Sequence, residues 1–268
     1  MQDNHAAGGR LWSFRYADLP LRGGLVQLGP EWRSWVAERG YAPLAAQLLG
    51  ESLCAVALLA GSAKNPPRLT LQLSGAAGVD LLVAQSLRAG QLRGMVKPAH
   101  LAALPFGQGG RLVMTLEPMQ SRDDTTVAQS IVALDGASLA QAMAGYFQQS
   151  EQLLTAFYFH ADANNAFGLM VQRIAGDATD VSAALDVVGR WALRDLPPAP
   201  EQYLAALLEH DIVLLEPVQH WQLACHCDSG TVGRMLLGLG YDDARGLIRE
   251  RGQIDIECGY CGASYRYD

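Results

Sequence analysis

The sequence has little that would let it sit in a bilayer or wrap a nucleic acid. Its longest unbroken apolar stretch, Leu53 to Ala60, ends at Gly61-Ser62. That is far short of the ~20 residues needed to span a membrane. Basic residues are outnumbered, 20 Lys and Arg against 27 Asp and Glu, for a net charge of −7. A surface that tracks phosphates has the opposite balance. Only 18% of residues are charged while 50% are hydrophobic, which excludes a disordered polar tail. Met1 to His5 carry neither the basic nor the apolar region of a secretory leader. These absences predict a soluble cytoplasmic protein with neither nucleic acid nor membrane among its partners.

The signatures of several enzyme classes are missing too. There is no G-x-S-x-G elbow, and no Lys-Ser/Thr follows the glycine-rich Gly107-Gln108-Gly109-Gly110. The histidines at 5, 100, 160, 210, 220 and 226 are scattered, without an H-x-x-x-H pair. Asp123-Asp124 reads as a solvated pair in a polar turn. No enzymatic turnover is expected.

What is present divides the chain in three. With 268 residues it exceeds one usual domain and is too short for three full ones. Residues 1–176 read as a mixed α/β domain. Arg22 to Leu28 is a short strand, and Pro43 to Ala60 is an Ala/Leu-rich buried helix with Gly61-Ser62 as its stop. Cys54 within it reads as a small buried apolar residue. Arg68 to Ser74 alternates apolar and polar residues, the period of a half-buried strand. A turn at Gly75 to Gly78 then leads to a return strand over Val79 to Gln85. Gln91 to Val96, Arg111 to Glu117 and Thr126 to Leu134 extend the series, predicting a largely antiparallel sheet with helices on one face. Ser138 N-caps a helix running to Gln149, and Leu153 to His160 and Phe167 to Ile174 are two further strands.

Residues 177–218 read as a helical interdomain linker. Asp180 to Arg194 carries an apolar stripe of Val181, Leu185, Val188 and Ala192; Pro197, Pro198 and Pro200 interrupt it, and Glu201 to His210 forms a second short helix. Helices this short need something to lean on. Residues 219–268 form a module too small to build a strong core without a staple.

Four of the five cysteines lie in that module: Cys225 and Cys227 as C-x-C, Cys258 and Cys261 as C-x-x-C followed by Gly262. In a reducing compartment such clustering favours a metal site or a redox device. Two tight pairs, each aimed by a turn, match a tetrahedral zinc site with four cysteine ligands, which would supply the folding energy the module lacks. Structural disulfides are the alternative suited to secreted proteins, and an iron–sulfur cluster would lack its usual ligand spacings. His226 lies between two candidate ligands and reads as a solvent-facing loop residue. Arg234 and Arg249 are candidate cations to offset the charge of four thiolates.

Several segments together resemble the Hsp33 family of redox-regulated bacterial holdase chaperones. They are Leu21-Arg22-Gly23, Leu71-Gln72-Leu73-Ser74-Gly75, Gln91-Leu92-Arg93-Gly94, Tyr146-Phe147 through Ser150-Glu151-Gln152-Leu153, Gly168-Leu169-Met170-Val171-Gln172, and Gly252 through Gly262. The resemblance covers nearly the whole chain. It implies an α+β protein with an N-terminal α/β client-binding and dimerisation domain (1–176), a helical linker (177–218) and a C-terminal redox-sensing zinc domain (219–268). It implies one zinc ion on Cys225, Cys227, Cys258 and Cys261 in an inactive reduced state. It further implies that oxidative stress forms the disulfides Cys225–Cys227 and Cys258–Cys261, releases zinc, unfolds the zinc domain and linker, and lets a homodimer hold unfolding client proteins without ATP. The segment Asp228 to Arg234 is less basic than in many family members.

Two other classes compete with this expectation. A zinc ribbon that binds nucleic acid is opposed by the acidic balance, since Arg234, Arg245, Arg249, Arg251 and Arg266 are offset by seven carboxylates. A thiol oxidoreductase built on Cys258-Gly259-Tyr260-Cys261 would normally place that motif at a helix start in a βαβ setting.

Overall fold

Alternating side chains build most of the molecule. The computed structural model describes residues 8–17, 19–63, 68–75, 78–88, 90–107, 109–117, 127–134, 136–174 and 213–268. They fall into two compact units, Met1–Leu223 and Ala224–Asp268. The first holds β1 (Gly9–Tyr16), β2 (Leu21–Gln27), α1 (Glu31–Arg39), α2 (Pro43–Gly61), β3 (Arg68–Ser74), β4 (Leu81–Arg88), β5 (Gln91–Lys97), β6 (Arg111–Glu117) and β7 (Ala128–Ala133). It continues with α3 (Leu139–Gln149), β8 (Thr155–Ala161), β9 (Ala166–Arg173), β10 (Val213–Leu215) and β11 (Gln219–Leu223). On β3, buried Leu69, Leu71 and Leu73 alternate with Arg68, Thr70, Gln72 and Ser74, as the period-2 pattern requires.

All these strands belong to one 11-stranded sheet, in the order β7-β6-β3-β4-β5-β11-β1-β2-β9-β8, with β10 beside β1. Every pairing is antiparallel except that of β5 with β11, where Leu92 faces Leu223. The short strand β11 therefore joins the two halves of the sheet. The helix α3 touches both β7 and β8, the outermost strands, so the sheet curls until its two edges share one helix. Tyr146 of α3 ties this seam, its hydroxyl lying 2.7 Å from Ser130 Oγ and donating to Glu151 Oε1 at 2.6 Å.

The 19-residue α2 is the core element and lies against strands of both halves. Pro43 opens it, where a missing N–H costs nothing. Leu48, Leu49, Leu53 and Leu58 are fully buried, and each contributes about 1.5–3 kcal/mol. Two glycines allow the close approach. A Cβ on Gly50 would meet Ala161 Cβ at 2.5 Å, and one on Gly168 of β9 would meet Phe159 at 2.8 Å and Cys54 Cβ at 3.1 Å. By length and composition α2 is apolar enough to cross a bilayer, but it is mostly buried inside the protein.

The largely antiparallel sheet, the α2 helix with its buried Cys54, and the Ser138 N-cap, which accepts from the Gln141 N–H at 3.3 Å, agree with the sequence reading. Sequence analysis had not placed β1, α1, β10 or β11. The stretch Gln219–Leu223, read as the start of the C-terminal module, is a strand of the large sheet, and the second unit begins at Ala224. Most of the expected linker, 177–212, lies outside the described residues.

Glu51 is the charged residue in this core, 7% exposed on α2, and Gln47 Nε2 donates to its Oε1 at 2.9 Å. Burial pushes its carboxyl from 4.5 up to about 7, the Gln47 bond opposing the rise. The folded state thus favours the protonated acid. Its contribution to stability is full below pH 4.5 and declines as pH rises through about 7. Glu51→Gln is expected to match the wild type in urea melts near pH 4. It should become more stable by up to about 3 kcal/mol above pH 7, with the gap opening between those limits.

Candidate metal centre

The second unit is assembled from turns aimed at one point. It contains α4 (Ser229–Leu239), α5 (Tyr241–Arg251), β12 (Ile254–Glu257) and β13 (Ser264–Tyr267). Strands β12 and β13 form an antiparallel hairpin, with Asp255 facing Arg266 and an ion pair of 2.7 Å between them. The hairpin loop carries Cys258 and Cys261. The Gly262 N–H donates to Cys258 O and the Cys258 N–H to Ala263 O, both at 2.8 Å. Gly262 adopts φ 77°, a conformation that favours glycine and lets the chain double back behind Cys261. Cys225 and Cys227 precede α4, whose N-cap Asp228 accepts from the Thr231 N–H at 2.7 Å.

The two loops bring all four sulfurs within 4.8 Å of one another. Cys225 Sγ lies 3.7 Å from Cys258 Sγ, and Cys227 Sγ lies 3.2 Å from Cys261 Sγ. Zinc–sulfur bonds of ~2.3 Å in a tetrahedron place the sulfurs ~3.8 Å apart, so the donor set and its spacing fit that ion. The five cysteines are free thiols, and these two sulfur contacts run between the pairs. His226 is exposed and lies outside the cluster. Arg234 donates to Thr231 Oγ1 at 3.0 Å on α4, and Arg249 is exposed in the last turn of α5.

The sulfurs differ in their surroundings. Burial raises Cys225. Burial also opposes ionisation of Cys258, but N–H groups of Cys261 and Tyr260 donate to its sulfur and bring it down to about 7. Sequence reasoning missed two tyrosines of β13. The Tyr265 hydroxyl donates to Cys227 Sγ at 3.1 Å, and the Tyr267 hydroxyl donates to Ser229 O at 2.7 Å, fastening the first turn of α4 to the hairpin. Their alternation in Ser264-Tyr265-Arg266-Tyr267 was the available signal.

Little else holds this unit. Among its described side chains, Val232 and Leu236 are the buried ones, each 8% exposed, and α5 buries none. Two aliphatic side chains at about 1.5–3 kcal/mol each fall far below the entropy cost of ordering a segment of this length. A metal ion held by the four sulfurs would add a cross-link of the kind that stabilises small core-poor units.

A large curled sheet followed by a core-poor four-thiol unit defines the class, an α+β protein with a C-terminal cysteine cluster. The model of the family described as Hsp33 protein matches residues 9–268, and the chain belongs to that chaperone family. It is similar to the 33 kDa chaperonin of Neisseria meningitidis serogroup B, with 30% identity over 95% of this chain and 87% of that one. It is similar also to the 33 kDa chaperonin of Pseudomonas syringae pv. tomato, with 32% identity over 95% and 89%. The crystal structure of the 33 kDa chaperonin from Thermotoga maritima shares the fold, with a TM-score of 0.77 at 21% identity, covering 97% of this chain and 94% of that one. Chaperonin, the name these relatives carry, is not an enzyme class.

The N-cap of α4 sits next to Cys227 and is testable without touching a sulfur. Asp228→Ala leaves the Thr231 N–H without its partner and should destabilise the first turn of α4. Hydrogen exchange of the 229–239 amides should report the loss, with the large sheet unaffected.

Proposed function

We propose that the protein is a redox-regulated, ATP-independent holdase that is inactive when reduced and is activated by oxidation of its thiol cluster. The observation that carries this reading is the convergence of Cys225, Cys227, Cys258 and Cys261 in a unit with almost no core. When bound, zinc would supply a redox-inert cross-link that keeps its four ligands as thiolates. Thiolates are the form that oxidants attack.

Oxidation then couples chemistry to folding. Joining Cys225 to Cys227 and Cys258 to Cys261 takes two electrons from each cysteine pair. For each pair one hydrogen peroxide accepts them and, with two protons from thiol or solvent, leaves as two waters. Each sulfur so consumed stops being a metal donor, so the cross-link is lost and the second unit has too few buried side chains to stay folded. In this reading residues 1–176 bind clients and carry the dimer contact, 177–212 act as linker and 224–268 sense the oxidant. The linker supplies apolar side chains such as Val181, Leu185, Val188, Trp191, Tyr203, Leu204 and Leu207. Unfolding proteins are the partners, and the oxidised homodimer is the active form. The family membership supports the chaperone class, and the fit of the sulfur spacing supports the zinc site.

The test uses the full reduced chain treated with peroxide at mildly raised temperature. Release of metal into solution and suppression of client aggregation should rise together, and both should reverse with reductant. Cys258→Ser should abolish the peroxide dependence. Suppression of aggregation that is equal before and after oxidation would contradict the reading, as would salt-dependent binding of nucleic acid in place of holdase activity.

A further inference from the structure

The four sulfurs are not equivalently protected. Backbone N–H groups donate to Cys225, Cys258 and Cys261, from Cys227, from Cys261 with Tyr260, and from Ala263 respectively. Cys227 receives a side-chain donor from a different element, the Tyr265 hydroxyl at 3.1 Å. Tyr265 is held for this task. On β13 it alternates with Arg266, which pairs with Asp255 across the hairpin, and shares its face with Tyr267, whose hydroxyl donates to Ser229 O. The hairpin register Ile256 to Tyr265 fixes the ring at the level of the cysteine loop.

We propose that Tyr265 is a positioning residue that brakes the thiol switch. By occupying a lone pair of Cys227 Sγ, its hydroxyl slows the attack of that sulfur on peroxide and so raises the oxidant level at which the C-x-C pair closes. This rests on the reading of the cluster as the redox sensor. The chemistry needs that lone pair. Cys227 sulfur attacks one peroxide oxygen, an S–O bond forms, the O–O bond breaks, and hydroxide leaves to be protonated to water. The Cys225 thiolate then attacks the Cys227 sulfur, the S–S bond forms and the S–O bond breaks, releasing a second hydroxide that is protonated to water. The thiol pair loses two electrons and peroxide gains them. A hydrogen bond to the attacking sulfur must be weakened before the first bond can form, and the hydroxyl donor, Tyr265, is on Cys227 rather than on Cys258. The brake therefore acts on the Cys225–Cys227 pair.

Tyr265→Phe in the full chain removes the hydroxyl and keeps the ring. With metal content equal to wild type, peptide-mapped oxidation and alkylation of Cys227 should accelerate about tenfold, on the order of half the worth of a hydrogen bond to a charged sulfur. Cys258 should react at its wild-type rate. In the cobalt-substituted protein the sulfur-to-metal charge-transfer band should move to lower energy, because Cys227 becomes more electron-rich; a merely structural tyrosine would not shift it. Tyr267→Phe, which removes the neighbouring hydroxyl from Ser229 O, should leave both readouts unchanged. An unaltered Cys227 rate and band in Tyr265→Phe would overturn the proposal, even if the oxidised protein still prevents client aggregation and the proposed function stands. Should Tyr265→Phe be purified without metal, 3-fluorotyrosine at position 265 decides the matter. As a stronger donor of the same shape it should slow Cys227, and a rate equal to or above wild type would overturn the brake.

Discussion

Four sulfur atoms drawn to one point are what the C-terminal unit depends on. Its helices α4 and α5 are amphipathic with little core to pack into: among the described side chains only Val232 and Leu236 are buried, while Met235, Leu237 and Tyr241 are exposed. Local devices abound there, including the Asp228 cap, the Gly262 turn and the Asp255–Arg266 pair. Each is worth about 1 kcal/mol or less at an exposed site. None links the two cysteine loops directly, and in the proposed reading the integrity of the unit follows the chemical state of its thiols.

The first unit has the opposite character. Its helix α2 is buried along most of its length between strands of both halves of the sheet, and its stability rests on dense apolar packing. The seam between those halves is β11, which pairs with β1 over three residues and with β5 over two. The chain leaves that strand at Leu223 and reaches the first thiol two residues later. The sheet unit therefore has a dense apolar core of its own, whereas the thiol unit that follows buries few side chains.

Much of this was legible from residues. The C-x-C and C-x-x-C-G spacings located all four thiols, because ligand loops are local and the turn chemistry at Gly262 is written in the motif. The alternation of β3 and the Ala/Leu content of α2 likewise declared themselves. What escaped was non-local or brief. Strand β11 has five residues and takes its identity from partners at Gly9–Leu11 and Gln91–Leu92, more than a hundred positions away. Helix α1 spans nine residues, with Trp32 and Val36 as its buried face, too few to stand out as periodic. The Tyr265–Cys227 bond depends on a hairpin register that the alternation of residues 264–267 suggests as a strand but does not place against Cys227. Conversely, Glu51 interrupts an apolar helix in the sequence, yet only the packing around it reveals how far its acidity is altered.

The most direct test of the account is hydrogen exchange on the full, reduced chain before and after a chelator strips its metal, with reductant present throughout. If the sulfur cross-link holds the unit, the amides of 229–267 lose protection on chelation and regain it when one equivalent of zinc is restored, while those of α2 and β9 stay protected. A purified reduced protein that holds no metal, or a C-terminal unit as protected after stripping as before, would contradict it.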